Sequence, residues 1–275
     1  MNVHMGASPA EVKAARVTAS VISLPSAIAR RQMMSQMLAG EGLPWSYFDA
    51  HTSLACEDLT YDEGRARTRL GRPLTRSEIA VYSSHYVVWK AFLEEGDSDY
   101  LLVLEDDVLL DVDFPVAEFA EFCGRRGIDY VRLFGKHYAP AVRIGFFYDR
   151  SLVRFSTSPA GTQAYILSRA GAKRLTECCR MVDTTIDLVM DRFWDTGMPL
   201  YSIFPYPAIE RYTPTSIPIP AGHAGVSTRA ERWAWKANRI AGKLRKIWAN
   251  RRLKPVDDRM RAQMPVFAQI HELKR

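Results

Sequence analysis

The run Tyr100-Leu101-Leu102-Val103-Leu104-Glu105-Asp106-Asp107 constrains this chain more than any other segment. Five apolar residues in succession leave no side for water, so Tyr100 to Leu104 reads as a strand buried on both faces, as in a sheet lying between helical layers. Three acids then end it at once. Open α/β sheets gather their ligands at the carboxyl ends of their strands, and adjacent carboxylates repel unless something cationic sits between them. Mg2+ or Mn2+ would satisfy them, usually held by one or two carboxylates together with substrate phosphates. The alternative is a solvated acidic turn after a core strand.

The rest of the pattern places that strand in an α/β chain. Val17 to Leu24 reads as a strand ended by Pro25, Ala27 to Ala39 as a helix closed by Gly40, and Trp45 to Phe48 as a second strand. A polar stretch to Pro73 reads as a loop with room for a helical turn. Thr75 and Glu78 have capping-box spacing, and Ile79, Tyr82, Tyr86, Trp89 and Leu93 continue an apolar stripe, predicting a helix from Thr75 to Glu95. Tyr130 to Phe134 and Ala164 to Leu167 are further strands. Ser168 caps a helix over Ala170 to Cys179, and Thr184 to Trp194 reads as another. Alternating strands and helices define the α/β class. Five prolines between Pro205 and Pro220 exclude regular structure there.

Charge divides the chain. From Gly225 to Arg275 there are 14 Lys and Arg against 4 Asp and Glu, a net of +10, whereas residues 1–224 carry 23 against 27, a net of −4. The basic character is local to the tail, which argues against nucleic acid as the partner of the body. Two units are expected: a catalytic domain over residues 17–224 and a basic amphipathic tail over 225–275. In the tail Trp233, Ala237, Ile240, Leu244 and Ile247 recur at steps of four and three beside Arg232, Lys236, Arg239, Lys243 and Lys246. Such a helix lies on an anionic membrane or docks its stripe on the body. The cysteines Cys56, Cys123, Cys178 and Cys179 lack metal-site spacing. Residues 1–16 lack a signal-peptide core, and no apolar segment is long enough to span a bilayer, so a cytoplasmic, membrane-peripheral protein is expected.

An ordered set of motifs resembles the bacterial glycosyltransferases of family 25, the lipooligosaccharide galactosyltransferase type. The matching pieces are Val21-Ile22-Ser23-Leu24, Arg30-Arg31, Phe48-Asp49-Ala50, Leu74-Thr75 to Glu78-Ile79, and Ser84-His85 with Trp89. Val103 to Val108 and Ala164 to Ala172 complete the set, which covers about residues 17 to 210 in the family's order. Ala80-Val81-Tyr82 departs from it, since relatives commonly have Gly and Cys there. The resemblance implies a glycosyltransferase-A, Rossmann-like fold, a nucleotide-sugar donor of the UDP-hexose type, and a metal on the acidic motif. It also implies galactose transfer to a lipid-linked glycan acceptor of the lipopolysaccharide type.

On that basis Asp107 is the first candidate metal ligand, with Glu105 helping, while Glu105 and Asp106 also suit the donor. Arg30 and Arg31 follow the first strand, where guanidinium groups pair with phosphate or remain solvated. His85 is either functional or a satisfied core histidine. Asp183 and Asp187 lie one turn apart, and one of them is the candidate general base, Asp183 being slightly favoured. A metal-dependent phosphoryl- or nucleotidyl-transfer enzyme would use the same acids, but no Walker A loop is present. A non-catalytic membrane-binding module is the remaining alternative.

Overall fold

The computed structural model describes residues 15–40, 42–211 and 228–264. The first half runs β1 (Val17–Ser23), α1 (Ile28–Leu38), β2 (Trp45–Asp49), β3 (Thr60–Tyr61), α2 (Glu63–Arg69), α3 (Arg76–Glu94), β4 (Tyr100–Glu105), β5 (Val108–Leu110), α4 (Val116–Arg125) and β6 (Tyr130–Arg132). It continues through β7 (Ala141–Phe147), β8 (Arg150–Phe155), β9 (Ala164–Ser168), α5 (Arg169–Cys178), β10 (Met181–Val182), α6 (Ile186–Met190), α7 (Phe193–Thr196), β11 (Tyr201–Phe204), β12 (Ala208–Glu210) and α8 (Arg229–Ala262).

One mixed sheet, in the order β2-β1-β4-β9-β6-β11-β8-β7, organises the molecule. β1 is parallel to both β2 and β4, with Ile22 level with Glu105. β9 runs antiparallel between β4 and β6. The apolar run of β4 is buried on both sides. Leu102 and Leu104 join the core containing α1 and α4, while Leu101 and Val103 join the one built on α3 and α5. A strand covered by helices on both faces has no polar positions to spare, which is why its sequence shows no alternation.

The α3 cap forms as the spacing predicts: Glu78 N donates to Thr75 Oγ1 at 3.2 Å and Thr75 N donates to Glu78 Oε2 at 2.8 Å. Tyr82, Tyr86 and Trp89 are buried along its inner face. Ser168 likewise caps α5, accepting from Gly171 N.

Other expectations need correction. The stretch before Pro73 contains β3 and α2. The parallel partner of β3 is β10, far away in sequence, so nothing local announces it. The expected helix Thr184 to Trp194 is broken into α6 and α7 because Asp191 turns inward to a buried arginine, Arg132. The described start of the proline-rich segment carries a short strand, β12, paired antiparallel with β5, while residues 212–220 lie outside the described residues. Pro205 and Pro207 precede it, so neither is required to donate to that ladder, and Pro207 O accepts from Asp111 N. Helix α4 and the β7–β8 hairpin have no counterpart in the sequence expectation.

Helix α8 packs on α2, α7 and β7. Its C-terminal half is fixed by Asp257, which receives Arg154 Nε and NH2 at 2.7–3.0 Å with both side chains buried. The face that docks carries Trp235, Ala249, Leu253 and Met260, not the stripe from Trp233 to Ile247. Residues 225–227 and 265–275 of the expected tail lie outside the described residues. Among the described residues no helix is long and apolar enough to cross a membrane.

Candidate functional site

β1 has parallel neighbours on both sides, and the chain leaves it toward β2 through α1 and returns beside it as β4. This reversal of winding opens a crevice at the carboxyl ends of β1 and β4, where open α/β sheets bind ligands. A cavity of about 330 Å3 lies there, lined by Ser23, Leu24 and Arg30 from the β1 side, Glu105, Asp106 and Asp107 from β4, and Arg76, Ser77, Ser84 and His85 from α3. His51 and Thr52 close another wall. Their loop is pinned to α3, with His51 N donating to Ser84 Oγ at 2.9 Å and Ala55 N to Ser83 Oγ at 3.0 Å.

The three acids occupy different environments. Asp106 is buried, accepts from Ser23 Oγ at 2.6 Å and pairs with Arg30 NH1 at 3.0 Å. Burial nevertheless pushes its carboxyl above the ordinary aspartate range. Glu105 accepts from Thr162 Oγ1 at 2.5 Å, and His85 Nε2 stands 3.5 Å from the same oxygen. Asp107 has a buried Oδ1 without a hydrogen-bond partner. Burial, together with the charges of Glu105, Asp106 and Glu210, pushes its carboxyl up to about 7. Glu210 reaches this cluster from β12, held by Gln163 Nε2 at 3.4 Å. Sequence reasoning missed it, because only the β5–β12 pairing brings residue 210 beside residue 108.

Arg30 and Arg31 part company. Arg30 lines the cavity, whereas Arg31 is spent on architecture: its Nε donates to Leu24 O, and its NH2 donates to Ser23 O and Asp49 Oδ1. It also lies over the Tyr47 ring at 4.7 Å. Arg76 is the second cation on the cavity wall and was not among the sequence candidates.

His85 is fully buried in a hydrogen-bonded group with Trp89 and Tyr165. Trp89 Nε1 can only donate, and it donates to Tyr165 Oη at 2.7 Å. The same Tyr165 hydroxyl is hydrogen-bonded to His85 Nδ1, 2.9 Å away. His85 Nε2, on the far side of the ring, stands 3.5 Å from Glu105 Oε1. His85 is thus a hydrogen-bonded core histidine whose ring edge also lines the cavity.

Asp183 and Asp187 also separate. Asp183 is buried among Arg65 Nε at 3.3 Å, Arg69 Nε at 3.1 Å and Arg192 NH1 at 3.7 Å. Asp187, at the start of α6, accepts from Leu188 N at 2.8 Å and from Gly161 N at 3.1 Å. Thr162, the next residue, is the one bonded to Glu105, so a single loop ties Asp187 to the acidic motif.

That loop hangs on Arg132. Its Nε reaches Asp191 Oδ1 at 2.7 Å, its NH1 donates to Ala160 O and Gly161 O, and Ser158 Oγ donates to Asp191 Oδ2. Gly161 adopts φ +85°, and a Cβ there would collide with Phe134 and Gln163, so the turn requires glycine. An arginine inside the apolar run Tyr130 to Phe134 was the available signal, since a charge is buried in a strand only when paired.

Among the described residues no three His, Cys, Asp or Glu side chains already surround one point. The donor set nevertheless fits a hard cation in part. The orphaned oxygen of Asp107 and the crowding by Glu105 and Glu210 leave negative charge uncompensated, and Mg2+ or Mn2+ ordinarily completes its shell with water and phosphate oxygens.

The pattern of glycosyltransferase family 25 (LPS biosynthesis protein) matches residues 17–190, and the chain belongs to that family. It is 31% identical over 201 residues to the lacto-N-neotetraose biosynthesis glycosyltransferase LgtE of Neisseria meningitidis serogroup B, covering 67% of this chain and 71% of that one. It is 27% identical over 182 residues to the lipooligosaccharide biosynthesis protein lic2B of Haemophilus influenzae, covering 62% and 68%. A solved structure, A197 from STIV, is similar at 13% identity and TM-score 0.42 over 74% of this chain and 98% of that one.

Proposed function

We propose that the protein transfers a hexose, galactose in the simplest reading, from a UDP-sugar to a lipid-linked glycan of the lipopolysaccharide or lipooligosaccharide type. Residues 17–224 form the proposed catalytic unit, of glycosyltransferase-A type, acting at the cytoplasmic face of a membrane. The observation that carries the reading is the pairing of uncompensated acid at Asp107 with two cationic groups, Arg76 and the Asp106-paired Arg30, in one switch-point cavity. A nucleoside diphosphate with its cation is complementary to both halves of that surface. Membership in family 25 and the likeness to a lacto-N-neotetraose biosynthesis glycosyltransferase and a lipooligosaccharide biosynthesis protein support the acceptor class.

Asp107 would hold Mn2+ or Mg2+, with Glu105 or Glu210 assisting, and the ion would stabilise negative charge on the departing diphosphate. Arg30 and Arg76 orient the phosphates. Glu105, kept in place by Thr162, would bond donor hydroxyls or assist in holding the ion. Asp187 is the better base. Its two backbone contacts fix the carboxylate and leave lone pairs for the acceptor hydroxyl, whereas the charge of Asp183 is engaged by three arginines. In the step itself the acceptor oxygen bonds to the sugar C1 as the C1–O bond to UDP breaks, and the acceptor proton passes to Asp187.

A screen of nucleotide sugars for hydrolysis and transfer, with and without Mn2+, tests this. Metal-dependent turnover of one UDP-hexose is expected. Absence of hydrolysis and binding for every nucleotide sugar would refute it.

A further inference from the structure

We propose that the outward face of α8 is a docking surface for an anionic lipid bilayer. The proposal gives the lipid-linked acceptor reading a physical location, but its test does not depend on catalysis. Trp233, Ile240, Leu244, Ile247 and Trp248 are between 50% and 70% exposed among the described residues. The first four lie opposite the docked side of the helix, and Trp248 flanks them. With 100° per residue, positions 233, 240, 244 and 247 fall within about 30° of a common direction, and 235, 249 and 260 fall on the reverse. The apolar line from Trp233 to Trp248 is about 22 Å long at 1.5 Å per residue.

Charge identifies what covers this face. From Arg232 to Lys254 the helix has nine Lys and Arg and no Asp or Glu. Lys236 lies over the Trp233 ring at 5.2 Å and Arg252 over Trp248 at 3.4 Å, so cations and aromatics share the rim of the stripe. A second copy of the chain would bring nine cations against nine. Nucleic acid would satisfy the charge but leave Ile240, Leu244 and Ile247 unused. An anionic bilayer satisfies both: aliphatic groups enter the acyl boundary, Trp sits at the interface, and Lys and Arg meet the headgroups.

The surface is mechanically joined to the cavity. Asn238 Nδ2 donates to Thr68 O, and Trp235 packs on Gly71, whose φ is +88°. Arg72 then grips Glu78 with NH1 at 2.8 Å and NH2 at 2.6 Å, fixing the α3 terminus that carries Arg76. Membrane contact on α8 thus holds the cavity wall at a set height above the lipid.

Deleting α8 is a poor test, because it removes Asp257 and leaves Arg154 buried without its partner. Surface variants of the full chain avoid that. The full chain should cosediment at low salt with phosphatidylcholine vesicles containing phosphatidylglycerol, and about tenfold less with phosphatidylcholine alone or at high salt. The triple variant Ile240→Ser, Leu244→Ser, Ile247→Ser should lose about tenfold in binding with its charge intact, as should Lys236→Glu with Lys243→Glu. Both should melt like the parent and keep turnover on a small soluble acceptor, which separates failure of docking from failure of the catalytic reading. Absence of binding to anionic vesicles at low salt, or equal binding to neutral ones, overturns the proposal. So does a parent dimer that the serine variant converts to monomer.

Discussion

Replacing Asp107 with Asn should stabilise the fold while abolishing transfer. Its carboxyl is pushed from an ordinary 3.8 up to about 7, chiefly by burial and then by Glu105, Asp106 and Glu210. An acid whose folded pKa lies above its unfolded value binds its proton more tightly when folded. The cost of ionising it is therefore absent below about pH 4, grows as pH rises and is complete above about pH 7. A shift of about three units corresponds to roughly 4 kcal/mol, an upper bound because water reaches part of this side chain. Recovery of about 2 kcal/mol in the variant at pH 8 should raise the melting temperature by about 4–8 °C for a chain of this size. The assay is a thermal melt of parent and Asp107→Asn from pH 4 to pH 8 in EDTA, followed by transfer activity with Mn2+. The two melting curves should converge toward pH 4 and separate toward pH 8. UDP with Mn2+ should then stabilise the parent and not the variant. Equal melting temperatures at pH 8, or a variant with normal turnover at limiting Mn2+, would refute the argument that Asp107 is an uncompensated charge awaiting a cation.

Asp187→Asn should lower kcat by about 100-fold or more with little change in UDP binding, since proton removal belongs to the transition state; an effect confined to donor KM would move Asp187 into the nucleotide site. Asp183→Asn should instead cost about 2 kcal/mol of stability by leaving Arg65, Arg69 and Arg192 around a neutral group, with turnover per folded molecule retained. Chemical denaturation and kinetics on the same preparations distinguish the two. Arg132→Met should destabilise by about 3–5 kcal/mol, because Asp191 is left buried and unpaired. At temperatures where the variant stays folded, kcat should also fall as the loop from Ser158 to Gln163 loosens; an unchanged kcat would show that this loop does not position the site. Tyr165→Phe should cost about 2–4 kcal/mol by orphaning Trp89 Nε1 and His85 Nδ1, and a melt indistinguishable from the parent would overturn the role of the Tyr165 hydroxyl as their shared partner.

The sequence by itself determined the elements whose signal is local. The apolar run into Glu105, Asp106 and Asp107, the Thr75–Glu78 cap and the Ser168 cap each depend on residues within a few positions of one another, and each stands where the pattern predicts. It also supplied the family, because ordered motifs survive where overall identity is low. What it could not supply were relationships between distant segments. Arg30 and Arg31 are indistinguishable in sequence, yet one faces the cavity and the other fastens β1 to β2, a difference set by the turn of α1 on the sheet. Asp183 and Asp187 differ in the same way: α2 brings two arginines to the first, while the Arg132 loop delivers a backbone N–H to the second. Glu210 joins the acids only through strand pairing across a hundred residues. The basic helix was legible from its period, but which face would dock was not. Trp235 and Asp257 find partners on the body, and the more apolar stripe is left outward, because burial is decided by the complementarity of the surface opposite.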